Sequence, residues 1–347
     1  MKKIAIITFA ALCLCGCGKS KTSGLNDATK AYLEAWVHVQ SQKHPEYTWD
    51  RRTPLGSWIL SETEGTGDPL GEFGDSTYLR IGYTIRQLDG TIAGTTYDKV
   101  NQQLGTYDET YYYGPVTMYA KGVYAGVEDA LSGMKKGGSR RVLIPAWLLT
   151  YDRYETADEY LAQKSGDTSS SSIYEIELVE YFDCIMQWGA DSLGRYLVAN
   201  YPGKFGRDPA KAAADSSGAF GFYYIQTQEP SSNEELQDTT VYINYTGRLL
   251  NGRVFDTTIR DTAIRYGLNR DKTYEPVSVT YGSDWSSITM GSDSKVIAGF
   301  ARTLSKMHPH EHGTGIFISS LGYSYSGSGS SIPAYAPLRF DIEIVDN

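Results

Sequence analysis

Three histidines, His308, His310 and His312, recur at every second residue. On a strand that spacing turns the side chains to one face, where imidazoles can hold a metal ion. Pro309 between them and Gly313 beyond them indicate an exposed turn instead. No Gly-x-Ser-x-Gly elbow is present to present a nucleophilic serine. The tyrosines between Tyr107 and Gly114 could stack on sugar rings, but buried or surface strand tyrosines are the better explanation. The chain also carries a series of aromatic and apolar residues with one aspartate among them. It comprises Tyr245, Phe255 with Asp256, Val296 with Ile297, Phe300, Tyr323, Ile332 with Pro333, and Phe340. Taken singly, each aromatic reads as β core and the aspartate as a turn residue.

The elements that must position this set are strands. Val241–Tyr245 and Leu338–Ile344 alternate faces as half-buried strands do. Asn251-Gly252 between apolar runs predicts a hairpin. Val296 to Met307 has helical period, with Val296, Phe300, Leu304 and Met307 on one side. Further upstream, residues 25–41 and the stretch around Leu193–Val198 read as amphipathic helices, and residues 18–24 as a polar tether.

The chain also repeats itself. Tyr83-Thr84 followed by Leu88-Asp89-Gly90 returns as Tyr245-Thr246 followed by Leu250-Asn251-Gly252. Gly126-Val127, Leu131 and Met134 return as Gly299-Phe300, Leu304 and Met307. The period is one whole domain, too long for a solenoid, and reads as duplication. The expected plan is helix, module, helix, module: residues 17–52 tether and helix, 53–182 first module, 183–218 helical linker, 219–347 second module. With 347 residues the chain is long enough for both.

Tyr245-Thr246-Gly247, Asn251-Gly252-Arg253-Val254-Phe255-Asp256, Val296-Ile297-Ala298-Gly299-Phe300, Ile318 to Tyr323, Ile332-Pro333 and Leu338 to Glu343 resemble, in order, the blocks of the FKBP-type peptidyl-prolyl cis-trans isomerases. The resemblance covers residues 219–347. It implies an α+β fold, an antiparallel sheet wrapped around a short helix, in each of two FKBP-like domains with helical linkers before each. It also implies rotation of X-Pro bonds with no cofactor and no metal, on proline-containing polypeptides. By the same resemblance Tyr245, Phe255, Val296, Ile297, Phe300, Tyr323 and Phe340 line the pocket, with Phe300 as its floor and Ile332 in the closing loop. The Ile297 N–H and the Tyr323 hydroxyl would hold substrate carbonyls. Asp256 at the rim would fix Tyr245 or polarise the twisting bond. Phe300 stands where the family usually has tryptophan, and residues 257–295 are a longer insert than the family pattern, a flap or a surface excursion. The Ser/Gly-rich loop after Tyr323 reads as mobile.

The first module keeps Tyr83, Val123, Tyr151 and Tyr174. It has Ala93-Gly94 for Phe255-Asp256, Val127 for Phe300, and a serine run near Ser169–Ser172 for Ile332-Pro333. It is expected to be a degenerate FKBP-like domain, structural or substrate-binding. The rival reading of the whole chain is a non-catalytic peptide-binding protein of the envelope on the same scaffold. A third is an envelope structural protein with no peptide site.

The composition, 41% hydrophobic with 28 tyrosines and 36 glycines, is that of a folded chain rich in strands and turns. A net charge of −9 argues against nucleic acid, whose phosphates need a basic face. At the N-terminus, Lys2 and Lys3 precede an apolar stretch, Ile4–Leu14, too short to span a bilayer. Leu14-Cys15-Gly16-Cys17 follows, and resembles a bacterial lipobox. Residues 1–16 are therefore expected to be a lipoprotein signal peptide and Cys17 the lipidated first residue. The implied location is the cell envelope, periplasm or outer membrane, with the membrane contacted through lipid. Only Cys184 would then remain as a second cysteine, so the domains must be held by packing rather than disulfides. Metabolic labelling with a fatty acid should mark the wild type and not Cys17→Ala; equal labelling of both would refute the anchor. Two or more acyl chains are expected, because one chain holds only marginally.

Overall fold

The computed structural model describes residues 24–346 apart from 154–157, 160–161, 163–169, 269–271 and 293. The cysteines of the expected signal region and Ser169 lie outside them. Helix α1 (Gly24–Lys43) opens the described chain. The first module then contains β1 (Trp58–Thr63), β2 (Thr66–Pro69), β3 (Tyr78–Gln87), β4 (Ile92–Thr95), α2 (Asp98–Leu104), β5 (Val116–Tyr119), α3 (Ala125–Leu131), β6 (Lys135–Lys136), β7 (Gly138–Ile144) and β8 (Ser172–Phe182). Helices α4 (Ile185–Asn200), α5 (Pro202–Phe205) and α6 (Pro209–Ala214) connect it to the second. There follow β9 (Phe222–Gln228), β10 (Thr240–Leu249), β11 (Val254–Thr257), α7 (Arg260–Arg265), β12 (Val277–Thr280), β13 (Thr289–Met290), β14 (Ser294–Lys295), α8 (Ala298–Leu304), β15 (His312–Phe317) and β16 (Leu338–Val345).

The duplication read from the sequence holds for six strands of each sheet, with β1, β7, β8, β3, β4 and β5 answering to β9, β15, β16, β10, β11 and β12, and the second sheet adds β13 and β14. The first sheet runs β1-β7-β8-β3-β4, with β5 also on β3. The second runs β9-β15-β16-β10-β12-β13-β14, with β11 also on β10. All of these pairings are antiparallel. Each sheet packs a short helix, α3 or α8, against one face, so the fold is α+β with two modules of one design.

Close approach of helix to sheet depends on glycine at the crossing. A Cβ on Gly299 would lie 2.4 Å from the Phe317 ring, and one on Gly126 would lie 2.4 Å from Ile144. Leu304, Phe300 and Met307 are thereby buried on the second sheet, as are Leu131, Val127 and Met134 on the first. Along β16 the alternation is complete: Leu338, Phe340, Ile342 and Ile344 face the core, and the intervening residues are half-exposed.

The two helical segments are structural parts of the modules. Leu33 of α1 is wholly buried in the first core, with Trp36 and Val37 beside it. Leu193 and Leu197 of α4 pack with Tyr223, Ile225, Ile316 and Ile318 on the outer face of the second sheet. That sheet is therefore covered on both faces, by α8 and by α4. Each large apolar side chain so buried contributes about 1.5–3 kcal/mol. The described part of the 257–295 segment that holds β12, Tyr281 and Ile288 is also integral to the module. Strand β12 pairs with β10, Tyr281 is buried with its hydroxyl donating to the Leu304 carbonyl at 3.1 Å, and Ile288 joins the core.

Candidate functional site

The centre of the second module is one buried ring, Phe340, given room by two residues without side chains. In register, Phe340 lies between Gly247 on β10 and Gly315 on β15. A Cβ on Gly247 would come within 2.5 Å of the Phe255 ring and 2.9 Å of Phe340 itself, and one on Gly315 would collide with Thr303 of α8. With both positions empty, four rings gather around Phe340. Phe300 stands at 5.0 Å and Phe255 at 5.5 Å, both edge to face, Phe317 stacks at 5.9 Å, and Tyr245 is tilted at 6.1 Å. Tyr245 also meets Phe300 edge to face at 5.5 Å. These are the geometries that aromatic quadrupoles favour. Phe300 is buried, as the floor of such a cage must be, whereas Phe255 keeps part of its surface open.

One polar group is fixed at the rim. The buried Tyr245 hydroxyl donates to Asp256 Oδ2 at 2.5 Å. The other oxygen, Oδ1, accepts from the Thr257 N–H at 2.9 Å and from Lys272 Nζ at 3.1 Å. Burial and the Asp256 charge push the Tyr245 phenol far above its ordinary pKa, so it stays a protonated donor. The Tyr323 phenol is also raised, by burial first and then by Asp256. Its hydroxyl and the Ile297 N–H have no hydrogen-bond partner among the described residues. Ile297 caps the start of α8 in an extended conformation, and Val296, Ile297 and Tyr323 pack half-buried against the aromatic core. The arrangement is thus an apolar cage with two unengaged donors and one immobilised carboxylate.

Ile332 belongs to the same core and is buried. Its loop, expected from its Ser and Gly content to be mobile, is instead folded on itself. Ser328 and Ile332 exchange backbone hydrogen bonds of 2.9 and 3.1 Å, and Ser324 bonds to Ser319 and receives from Tyr335. Gly327, at φ 60°, makes that turn possible, since a Cβ there would strike the Ile332 carbonyl. The sequence-predicted residues Tyr245, Phe255, Val296, Ile297, Phe300, Tyr323, Ile332 and Phe340 therefore converge on one aromatic core, with Asp256 at its edge.

The histidines do not converge. His308 pairs with Glu311 at 3.1 Å, His312 with Glu343 at 3.1 Å, and His310 lies 3.6 Å from Asp346. Glu311 is almost fully buried and accepts from the Tyr224 hydroxyl and, at 2.8 Å, from the His308 N–H. This turn is a structural staple. Lys272 was not foreseen at the site, because nothing in the sequence of the 257–295 segment points back to Asp256. A threonine frame also went unnoticed. Thr246 and Thr257 hydrogen-bond at 3.0 Å, and Thr258 Oγ1 accepts from the Tyr245 N–H at 2.9 Å. Its recurrence at Thr84, Thr95 and Thr96 was visible in the repeat.

That frame is intact in the first module, with Thr84–Thr95 at 2.9 Å and Tyr83 N–H to Thr96 at 2.9 Å. The chemistry-bearing positions are not. By register Ile85 takes the place of Gly247, Ala93 of Phe255, Gly94 of Asp256 and Tyr174 of Phe340. Val127 takes the place of Phe300. Tyr124, at the Ile297 position, meets Tyr151 at 4.7 Å. Tyr174 is pushed up to about 12 by burial. The scaffold was duplicated and only one copy kept the cage.

A family model for FKBP-type peptidyl-prolyl cis-trans isomerase matches residues 232–345. The chain is 29% identical over 121 residues to peptidyl-prolyl cis-trans isomerase FKBP11 of Bos taurus, covering 35% of this chain and 48% of that protein. It is 26% identical over 145 residues to a probable FKBP-type isomerase of Haemophilus influenzae, covering 41% of this chain and 49% of that protein. It is 32% identical over 107 residues to FK506-binding protein 2 of Candida glabrata, covering 30% of this chain and 62% of that protein. The chain thus spans about half the length of the first two relatives. A crystal structure of the three FKBP domains of wheat FKBP73 aligns over 84% of this chain and 93% of its own, at 15% identity and a TM-score of 0.29.

Gly247→Ala should crowd Phe255 and Phe340 and destabilise the second module by about 1–3 kcal/mol. Gly94→Ala, at the Asp256 position of the first module where nothing lies within 4 Å, should be neutral to about 0.5 kcal/mol. Denaturant unfolding of the two variants measures the difference, and equal effects would contradict the proposed crowding.

Proposed function

We propose, from the match of residues 232–345 to the family model for FKBP-type peptidyl-prolyl cis-trans isomerase, that the second module catalyses cis–trans isomerisation of X-Pro bonds in polypeptides. Rotation about such a bond breaks nothing, so neither nucleophile nor cofactor is required. The barrier, about 18–20 kcal/mol, comes from amide resonance. A catalyst need only favour the twisted amide over both planar forms. In this reading the proline ring enters the cage over Phe300, walled by Tyr245, Phe255, Val296, Ile332 and Phe340. Leaving water there disfavours the charge-separated resonance form that keeps the amide planar. The Ile297 N–H and the Tyr323 hydroxyl hold the flanking carbonyls. Asp256, already engaged by Tyr245, Thr257 and Lys272, orients Tyr245 and presents negative charge to the twisting amide.

The observation that carries this reading is the Gly247–Phe255–Asp256 combination, present in one module and replaced in the other. The first module is then a scaffold without the cage. We further propose that the clients are exported proteins met at the cell envelope and that the chain is anchored there through lipid on Cys17. The support for that location is the sequence alone. Among the described residues no helix is long and apolar enough to cross a membrane.

Isomerisation of prolyl peptides by the full chain tests the proposal. Tyr323→Phe should leave stability nearly unchanged and cost about 0.5–1.5 kcal/mol in kcat/KM, the value of one hydrogen bond. Asp256→Asn, which keeps shape and removes charge, should also act on kcat/KM rather than on folding. Phe255→Ala should weaken proline affinity and cost up to ~2–4 kcal/mol in stability. Wild-type rates in a folded Tyr323→Phe and Asp256→Asn would remove both residues from the site. Peptide binding by a wild-type chain that does not isomerise would favour the non-catalytic binding reading.

A further inference from the structure

The two modules touch at the loop carrying Ile332 and at the β10–β11 hairpin beside it. At the apex of its Ser328–Ile332 turn, the Ser330 carbonyl accepts from the backbone N–H of Tyr112, in the first module, at 2.7 Å. The Tyr112 ring packs against the aromatic core of the second module, and its hydroxyl is anchored at home on the Pro115 carbonyl at 2.9 Å. Beside it, Arg253 at the β10–β11 hairpin donates to the Glu109 carbonyl. At the other end of the loop, Tyr335 has φ 62°. That is a left-handed conformation costly for a residue with a bulky side chain, and one that must be held from outside. Its N–H donates to the Ser324 carbonyl at 2.8 Å. Its ring meets Tyr78 of the first module edge to face at 5.4 Å. Tyr78 in turn stacks on Phe182 at 5.9 Å, and Phe182 on Trp188 of α4 at 4.9 Å. An aromatic row thus runs from the first sheet to the loop across the junction.

We propose that the first module is an internal clamp on the isomerase pocket, with Tyr112 and Tyr78 as positioning residues that set the Ile332 wall. This explains why a module without the cage is kept in contact with the loop. Its own tyrosine-rich segment, Tyr107 to Gly114, supplies the Ser330 contact. The kinetic part of the proposal rests on the second module being a prolyl isomerase; the structural part does not.

The test uses the full chain and three variants: Tyr112→Ala, Tyr112→Phe and Tyr78→Ala. Hydrogen exchange at the Ser328 and Ile332 amides reads the loop directly, because those N–H groups close its turn. Tyr112→Ala and Tyr78→Ala should each speed that exchange by roughly ten-fold while the β10 and β16 amides stay protected. Tyr112→Phe keeps the ring and the backbone donor and should behave as wild type. In isomerisation the alanine variants should raise KM by about three- to ten-fold with kcat within about two-fold, the pattern of lost ground-state binding. Unchanged exchange at Ser328 and Ile332 in both folded alanine variants would overturn the clamp. So would a fall in kcat at constant KM. A chain without isomerase activity would sink the functional reading instead, and the exchange result would still decide the clamp.

Discussion

A phenylalanine ring can be surrounded by four others only if the strands beside it make room, and this constraint organises the second module. Phe340 sits between Gly247 and Gly315. The first gap admits Phe255 and the second admits helix α8 through Thr303. A third glycine, Gly299, lets the same helix settle on Phe317 and so places Phe300 under the cage. Remove any of these and the rings cannot meet. The polar parts depend on the same placement, because Asp256 follows Phe255 directly and Tyr245 precedes Gly247 by two residues on the same face. Sheet, helix and site share one packing solution.

The first module shows what happens when that solution is released. It retains the strand order, the threonine hydrogen bonds and the glycine at the helix crossing, all of which the fold needs. It replaces Gly247 by branched Ile85 and Phe255 by Ala93, which the fold tolerates. Fold and site are therefore separable in this chain. The freed module still has a surface, and its Tyr112 and Tyr78 face the loop that closes its sister's pocket.

Much of this was legible in the sequence because it is local or periodic. The alternation of Leu338–Ile344, the Asn251-Gly252 hairpin and the apolar stripe of Val296–Met307 are short-range signals, and the duplication is a comparison of the chain with itself. The aromatic set could be named from block order. Other features were hidden because they rest on contacts between distant residues. Serine and glycine suggest a mobile loop after Tyr323, but cross-loop hydrogen bonds and an aromatic row from another module shape it. The 257–295 segment reads as either a flap or an excursion because nothing in its composition tells that β12 pairs with β10. Spacing alone could not tell that the three histidines would each find a different carboxylate.

The most direct test of the account is an amide NMR titration of the full chain with a short X-Pro peptide, watching protein and peptide together. The account predicts shifts concentrated at Ile297, Tyr323, Ile332 and the residues flanking Phe340, with exchange cross-peaks between the cis and trans peptide signals that are absent without protein. Shifts centred on Tyr83, Tyr124 and Tyr174, or binding at the cage with no acceleration of exchange, would contradict it.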